Sequence, residues 1–136
     1  MTLEVSSCDG IKMLMTHPTA KSMKRLTRMS ITKCPMIQEI IVCEGQDVKE
    51  VITFDELKVL QLGDLQNLLS FCSGSSIVFQ FPSLGKVVVS RCPSMRSFSQ
   101  QKVVAPKLKG VHIDKEDEGR WDGNFENTIQ QIFREK

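Results

Sequence analysis

The sequence predicts an α/β solenoid: a curved parallel sheet of short strands, an irregular convex side and a C-terminal capping helix. Three observations carry that prediction. Apolar residues recur at fixed offsets, unit after unit. Inside each unit an apolar alternation marks one strand. After the last unit, apolar residues at helical spacing close the chain.

The second unit places Leu26, Met29, Ile31 and Cys34 in series, then Ile37 and Ile40. The third repeats the offsets with Leu57, Leu60, Leu62, Leu65, Leu68 and Phe71. The fourth does so with Leu84, Val87, Val89, Cys92, Met95 and Phe98. The first starts late, at Leu3, and continues through Val5, Cys8, Ile11 and Leu14. A fifth opens at Leu108, Val111 and Ile113 and stops. Ordinary α/β structure could match one offset by coincidence. A match at every offset in the three complete units argues for a solenoid, whose coils point a constant set of side chains inward.

The pairs Met29/Ile31, Leu60/Leu62, Val87/Val89 and Val111/Ile113 have period two, so each pair shares one face of a strand. Stacked units then form a parallel sheet with one ladder inside and one on an open face. This is an irregular leucine-rich-repeat pattern, expected over residues 1–114. Upstream of each leading Leu stand Met23, Phe54, Phe81 and Ala105, followed in the last two units by Pro82 and Pro106. Proline fits there because the chain is entering the sheet rather than crossing it. The stretches 42–53, 72–80 and 99–104 vary in length and are expected to be convex-side loops.

Cys8, Cys34 and Cys92 share the repeat position that Leu65 fills in the third unit. Leu is useless as a ligand or nucleophile, so these thiols read as small core hydrophobes. Cys43 and Cys72 fall in loop stretches, and nothing beside them marks a reactive thiol. There is no CxxC pair for zinc, and no metal or cofactor is expected.

Residues 115–136 are expected to form a charged linker and a capping helix. Phe125, Ile129, Ile132 and Phe133 lie on one helical face, with Asp122 or Asn124 to cap its start and Arg134 and Lys136 to suit its end. Its polar face is not basic, which favours a cap over a membrane-surface helix. The N-terminus opens in mid-repeat without a polar cover, as a cut through a larger protein would.

At 136 residues the chain is one domain. It is 40% hydrophobic and 25% charged, which excludes disorder over its whole length. Its net charge of +2 gives no whole-chain argument for nucleic acid, and one Trp with no Tyr supplies few stacking platforms. No apolar run is long enough to span a membrane, and the first residues do not read as a signal peptide. A cytoplasmic location with reduced thiols is expected.

No catalytic constellation is present. Of the two histidines, His17 and His112, only His112 has a carboxylate close in sequence, Asp114, and no nucleophile accompanies them. The open strand face is the candidate partner-binding site: Arg28, Ser30, Thr32, Val59, Gln61, Lys86, Val88, Ser90, His112 and Asp114. With Lys33, Lys58, Arg91 and Lys109 at its edges it leans basic, so an acidic bias is expected in a protein partner. Two plainer readings stand beside this one. The residues could be ordinary solvated surface, or the chain a truncated fragment without activity of its own.

The stretches Leu26-Thr-Arg-Met-Ser-Ile-Thr-Lys-Cys-Pro-Met-Ile-Gln-Glu-Ile40 and Phe54-Asp-Glu-Leu-Lys-Val-Leu-Gln-Leu62 carry a family resemblance. So do Leu65-Gln-Asn-Leu-Leu-Ser-Phe-Cys-Ser-Gly74, Phe81-Pro-Ser-Leu84, Cys92-Pro-Ser-Met-Arg-Ser-Phe98 and the tail Arg120 to Phe133. Over essentially its whole length the chain resembles the C-terminal leucine-rich repeats of plant coiled-coil, nucleotide-binding immune receptors, the NLR disease resistance proteins. The resemblance implies a non-enzymatic sensing and autoinhibitory region. Its implied partners are a pathogen effector, a guarded host protein, and the nucleotide-binding domain of a parent receptor. No GxxxxGK[ST] phosphate loop occurs in this sequence, so the resemblance covers the repeats and not the signalling parts.

Overall fold

The computed structural model describes residues 2–42, 50–72, 77–95, 103–108, 110–112 and 128. Along them run β1 (Thr2–Ser6), β2 (Met13–Thr16), α1 (His17–Ser22), β3 (Arg28–Thr32), β4 (Glu39–Val42) and β5 (Glu50–Thr53). Then follow β6 (Val59–Gly63), β7 (Ile77–Gln80), β8 (Lys86–Ser90), β9 (Val103–Val104) and β10 (Val111–His112). They form three parallel sheets: β1-β3-β6-β8-β10, β2-β4 and β5-β7-β9. Each coil adds a strand to the five-stranded sheet and turns away to the smaller sheets before returning.

Register in the large sheet follows the apolar offsets. Leu3, Met29, Leu60, Val87 and Val111 stand side by side, and so do Val5, Ile31, Leu62 and Val89. Met29, Ile31, Leu60, Leu62, Val87 and Val111 are fully buried, and Leu3 and Val5 in the first coil are half-buried. A register slip of one residue would turn every one of these side chains outward, so burial pins the pairing. Leu26, Leu57, Leu84 and Leu108 are buried ahead of their strands. Cys34, Leu65 and Cys92 are buried behind them, with Ile37, Leu68 and Met95 one turn further on.

Four phenylalanines knit neighbouring coils together. Phe54 and Phe81 stack with ring centres 5.5 Å apart and planes 6° from parallel. Phe81 stacks on Phe79 at 6.0 Å. Phe71 meets Phe79 edge-on at 5.4 Å. The stack follows from register: Thr53 pairs with Gln80, and Phe54 and Phe81 come next in their chains. Polar side chains pin the turns from coil to coil. The Asn67 amide donates to the Pro35 carbonyl at 2.6 Å, Ser94 Oγ to the Gln66 carbonyl at 2.7 Å, and Ser83 Oγ to the Asp55 carbonyl at 2.8 Å.

β1, β3, β6 and β8 each end at a residue in the left-handed region: Ser7 (φ 58), Lys33 (φ 56), Asp64 (φ 53) and Arg91 (φ 53). None is glycine, and an L side chain there costs about 1–2 kcal/mol. The turn persists because its backbone is used: Ser7 N donates to Thr32 O, Lys33 N to Gly63 O at 3.0 Å, and Asp64 N to Ser90 O at 3.0 Å. Lys33 is exposed, so its side chain supplies little packing in return. Lys33→Gly is therefore expected to stabilise the chain by about 0.5–1 kcal/mol, after the added entropy of an unfolded glycine is subtracted. Thermal melting checks this, and a lower midpoint would contradict the strain argument.

The structure corrects the sequence reading in two places and adds one element that the apolar pattern did not announce. The stretches expected to be convex loops carry strands: β5, β7 and β9 lie within them and form their own sheet. Ile52, Ile77, Phe79 and Val103 on those strands are buried, so apolar burial makes a second wall of the core where variable length suggested loops. Cys72 is fully buried beside that wall. Finally, α1 occupies the first coil where later coils have a strand. Pro18 near its start suits a helix whose first N–H groups lack intrahelical acceptors, and Ala20 faces the core at 1% exposure. The expected capping helix lies outside the described residues except for Thr128, which is helical and buried. Asp114, Cys43 and the charged linker also lie outside them.

Candidate functional site

The outward residues of the large sheet form three ladders. Arg28, Val59 and Lys86 run across one end of the strands. Glu4, Ser30, Gln61, Val88 and His112 cross the middle. Ser6, Thr32, Gly63 and Ser90 cross the other end. Period-two side chains on parallel strands put like positions in line, so this face is a direct product of the repeat.

A depression of about 720 Å³ lies on this face toward the first coil. Of the residues expected at the site, it brings together Arg28, Ser30, Thr32, Gln61 and Ser90. Val59, Lys86, Val88 and His112 share the sheet but do not line the depression. Lys86 is exposed, and Val59 and His112 are half-buried. Val88 points outward by register yet is only 3% exposed, so as it stands it offers a partner almost no surface. Alternation sets which face a side chain takes, while exposure depends on its neighbours.

Glu4, Ser6 and Asp64 join the lining and were not anticipated; Lys33 and Arg91, expected at the edge, line it too. The signal for Asp64 and Arg91 was their shared place with Lys33 at the end of a strand, one residue before the core position. The left-handed turn there swings the side chain toward the open face. The depression therefore carries three cations (Arg28, Lys33, Arg91) against two carboxylates (Glu4, Asp64), and is less one-sided than the strand residues alone suggest.

Local contacts hold part of this surface in place. Arg91 Nη1 and Asp64 Oδ1 form an ion pair at 3.3 Å between adjacent coils. The Arg91 side chain is 81% exposed, so the pair adds little stability and serves mainly to orient the two groups. Arg28 Nη2 donates to Gln61 Oε1 at 3.4 Å, a long contact that a partner carboxylate could replace. Thr32 Oγ1 donates to Ser6 Oγ at 3.3 Å. Gly63 fits between Thr32 and Ser90, where an added Cβ would come within 3.2 Å of Ser90 Oγ. The result is a shallow, polar, hydroxyl-lined surface with charges at its margins, suited to recognising another polypeptide.

Behind the face, burial pushes the Cys34 thiol above its ordinary value of 9.0, and a backbone hydrogen bond from Cys8 opposes that shift. The unfolded chain releases this proton at lower pH than the folded chain does. Stability therefore falls as pH climbs from the ordinary thiol value toward the raised one, and is unaffected by this group well below it. Melts between pH 8 and pH 10 are expected to show a smaller decline for Cys34→Ala than for the parent chain. Equal declines would contradict the assignment.

Among the described residues, no group of three His, Cys, Asp or Glu side chains is placed to hold a metal ion. Among them, too, no helix is long and apolar enough to cross a membrane.

Stacked parallel coils with an inward apolar ladder and an open polar face define a leucine-rich-repeat solenoid, a fold that generally binds proteins. The family described as plant disease resistance protein RPS2-like, leucine-rich repeats, matches residues 1–115, and the chain belongs to it. No curated protein and no solved structure matches the chain.

Proposed function

We propose that this chain is the effector-sensing and autoinhibitory end of a plant NLR immune receptor, acting in the cytoplasm as a non-enzymatic binding module. The carrying observation is the depression across β1, β3, β6 and β8, where Arg28, Lys33 and Arg91 surround a bed of Ser and Thr hydroxyls. Membership in a disease-resistance repeat family supports the immune setting. In that setting the partner is a pathogen effector, a guarded host protein, or the nucleotide-binding core of the receptor itself. The excess of cations favours a partner segment rich in Asp and Glu, which would be steered in at low salt and exchange for the Arg28–Gln61 contact.

The test combines immobilised chain with a charge-reversed form in which Arg28, Lys86 and Arg91 are all replaced by Glu. All three are exposed, so the fold is expected to survive. Plant proteins retained by the parent chain, released as salt rises, and lost to the reversed form at least about tenfold would support this reading. Retention indifferent to both salt and charge reversal would overturn it.

A further inference from the structure

Cys8 and Cys34 occupy the same repeat position in the first two coils. β1 and β3 pair in register through Ser6 and Thr32, two residues before each cysteine. The intervening residues, Ser7 and Lys33, have nearly the same turn, φ 58 and φ 56. Ser7 N reaches across to Thr32 O at 3.2 Å, so the two backbones stay locked together up to the cysteines. The thiols also point alike: Cys8 Sγ lies 3.8 Å from Ser6 O, and Cys34 Sγ lies 3.2 Å from Thr32 O. Cys8 is near enough to the Cys34 thiol to act on it electrostatically.

Neighbouring strands lie about 4.7–4.9 Å apart. That spacing falls inside the Cα window of about 4.4–6.8 Å that a disulfide spans. In the third coil Leu65 takes this position, between Cys34 and Cys92. Exposure also divides the pair. Cys8 is half-buried and reachable from solvent, and Cys34 is fully buried beneath the strand ends. Leu3, Val5, Ile11 and Leu14 around Cys8 are only half-buried, which leaves the first coil room for the small shift that bond formation needs.

We propose that Cys8 and Cys34 form an oxidation site at which hydrogen peroxide joins the first two coils by a disulfide. The Cys8 thiolate attacks the peroxide oxygen; an S–O bond forms, the O–O bond breaks, and hydroxide leaves as water after protonation. The Cys34 thiolate then attacks the Cys8 sulfur; the S–S bond forms, the S–O bond breaks, and a second hydroxide leaves as water. Two thiols are oxidised and one peroxide is reduced, giving two waters. Cys8 is the thiol that solvent reaches, so sulfenic acid on Cys8 precedes the disulfide.

The experiment treats the full chain with hydrogen peroxide and reads intact mass, then maps disulfides after cleavage by trypsin and by a protease that cuts after glutamate. Cleavage at Glu39 separates Cys34 from Cys43. The expected result is loss of two hydrogens, a linked pair of peptides holding Cys8 and Cys34, and a higher melting temperature reversed by reductant. Cys34→Ala is expected to stop at oxygen adducts on Cys8. Should that variant fail to fold, Cys8→Ser, at a half-exposed position, tests the same link. Oxygen adducts without a disulfide in the parent chain, or a disulfide joining any other cysteines, would overturn the proposal.

Discussion

Phe81→Ala is expected to destabilise the chain by about 3–5 kcal/mol, a large share of the stability of a domain this size. Phe81 is fully buried and contacts three other rings: Phe54 at 5.5 Å, Phe79 at 6.0 Å and Phe71 at 6.4 Å. Those rings are anchored from separate strands and turns, so they cannot close together over the gap without moving backbone that is tied into parallel sheets. The residual cavity then adds its own term to the lost transfer energy. A solenoid coil also touches only its neighbours, so weakening one interface loosens the coils on both sides. Phe81→Leu keeps most of the volume and is expected to cost about 1–2 kcal/mol. Urea unfolding checks both, read as a shift in midpoint at constant slope. A Phe81→Ala midpoint indistinguishable from the parent would mean that the ring stack does not hold the coils together.

The second large effect compares one substitution at two adjacent positions of β6. Leu62→Glu is expected to cost more than about 4 kcal/mol or to prevent folding, because Leu62 is fully buried between Ile31 and Val89 with no partner for a charge. Gln61→Glu is expected to change stability by less than about 0.5 kcal/mol. Gln61 faces outward, and a carboxylate there would accept from Arg28 as the amide oxygen now does. The contrast isolates the strand alternation, since the introduced group and the strand are the same in both. Circular dichroism and urea midpoints decide it. A tolerated Leu62→Glu would show that β6 sits in another register.

The main strands were legible because burial on one face imposes period two and each coil must repeat it. Met29/Ile31, Leu60/Leu62 and Val87/Val89 face inward in register, as their spacing requires. The burial of Cys34 and Cys92 was legible for the same reason, since Leu65 shares their position. The wall built by β5, β7 and β9 was not. Those segments are short and the stretches that hold them differ in length; Ile52, Phe79 and Val103 each stand five residues before a leading Leu, but Lys21 takes that offset in the second unit, so it did not mark a strand. α1 left a trace in Pro18, but a six-residue helix has too few turns to show a periodicity.

The candidate site divides along the same line. By itself the sequence determined which residues take the open face, because side-chain direction along a strand is local and follows from alternation. Only the tertiary structure decided which of them meet. Left-handed turns bring Lys33, Asp64 and Arg91 to the rim, the first coil contributes Glu4 and Ser6, and Val88 is covered although it points outward. The physical reason is that accessibility and charge pairing depend on what stacks alongside, and residues 24 or more apart in sequence become neighbours only when coil lies on coil.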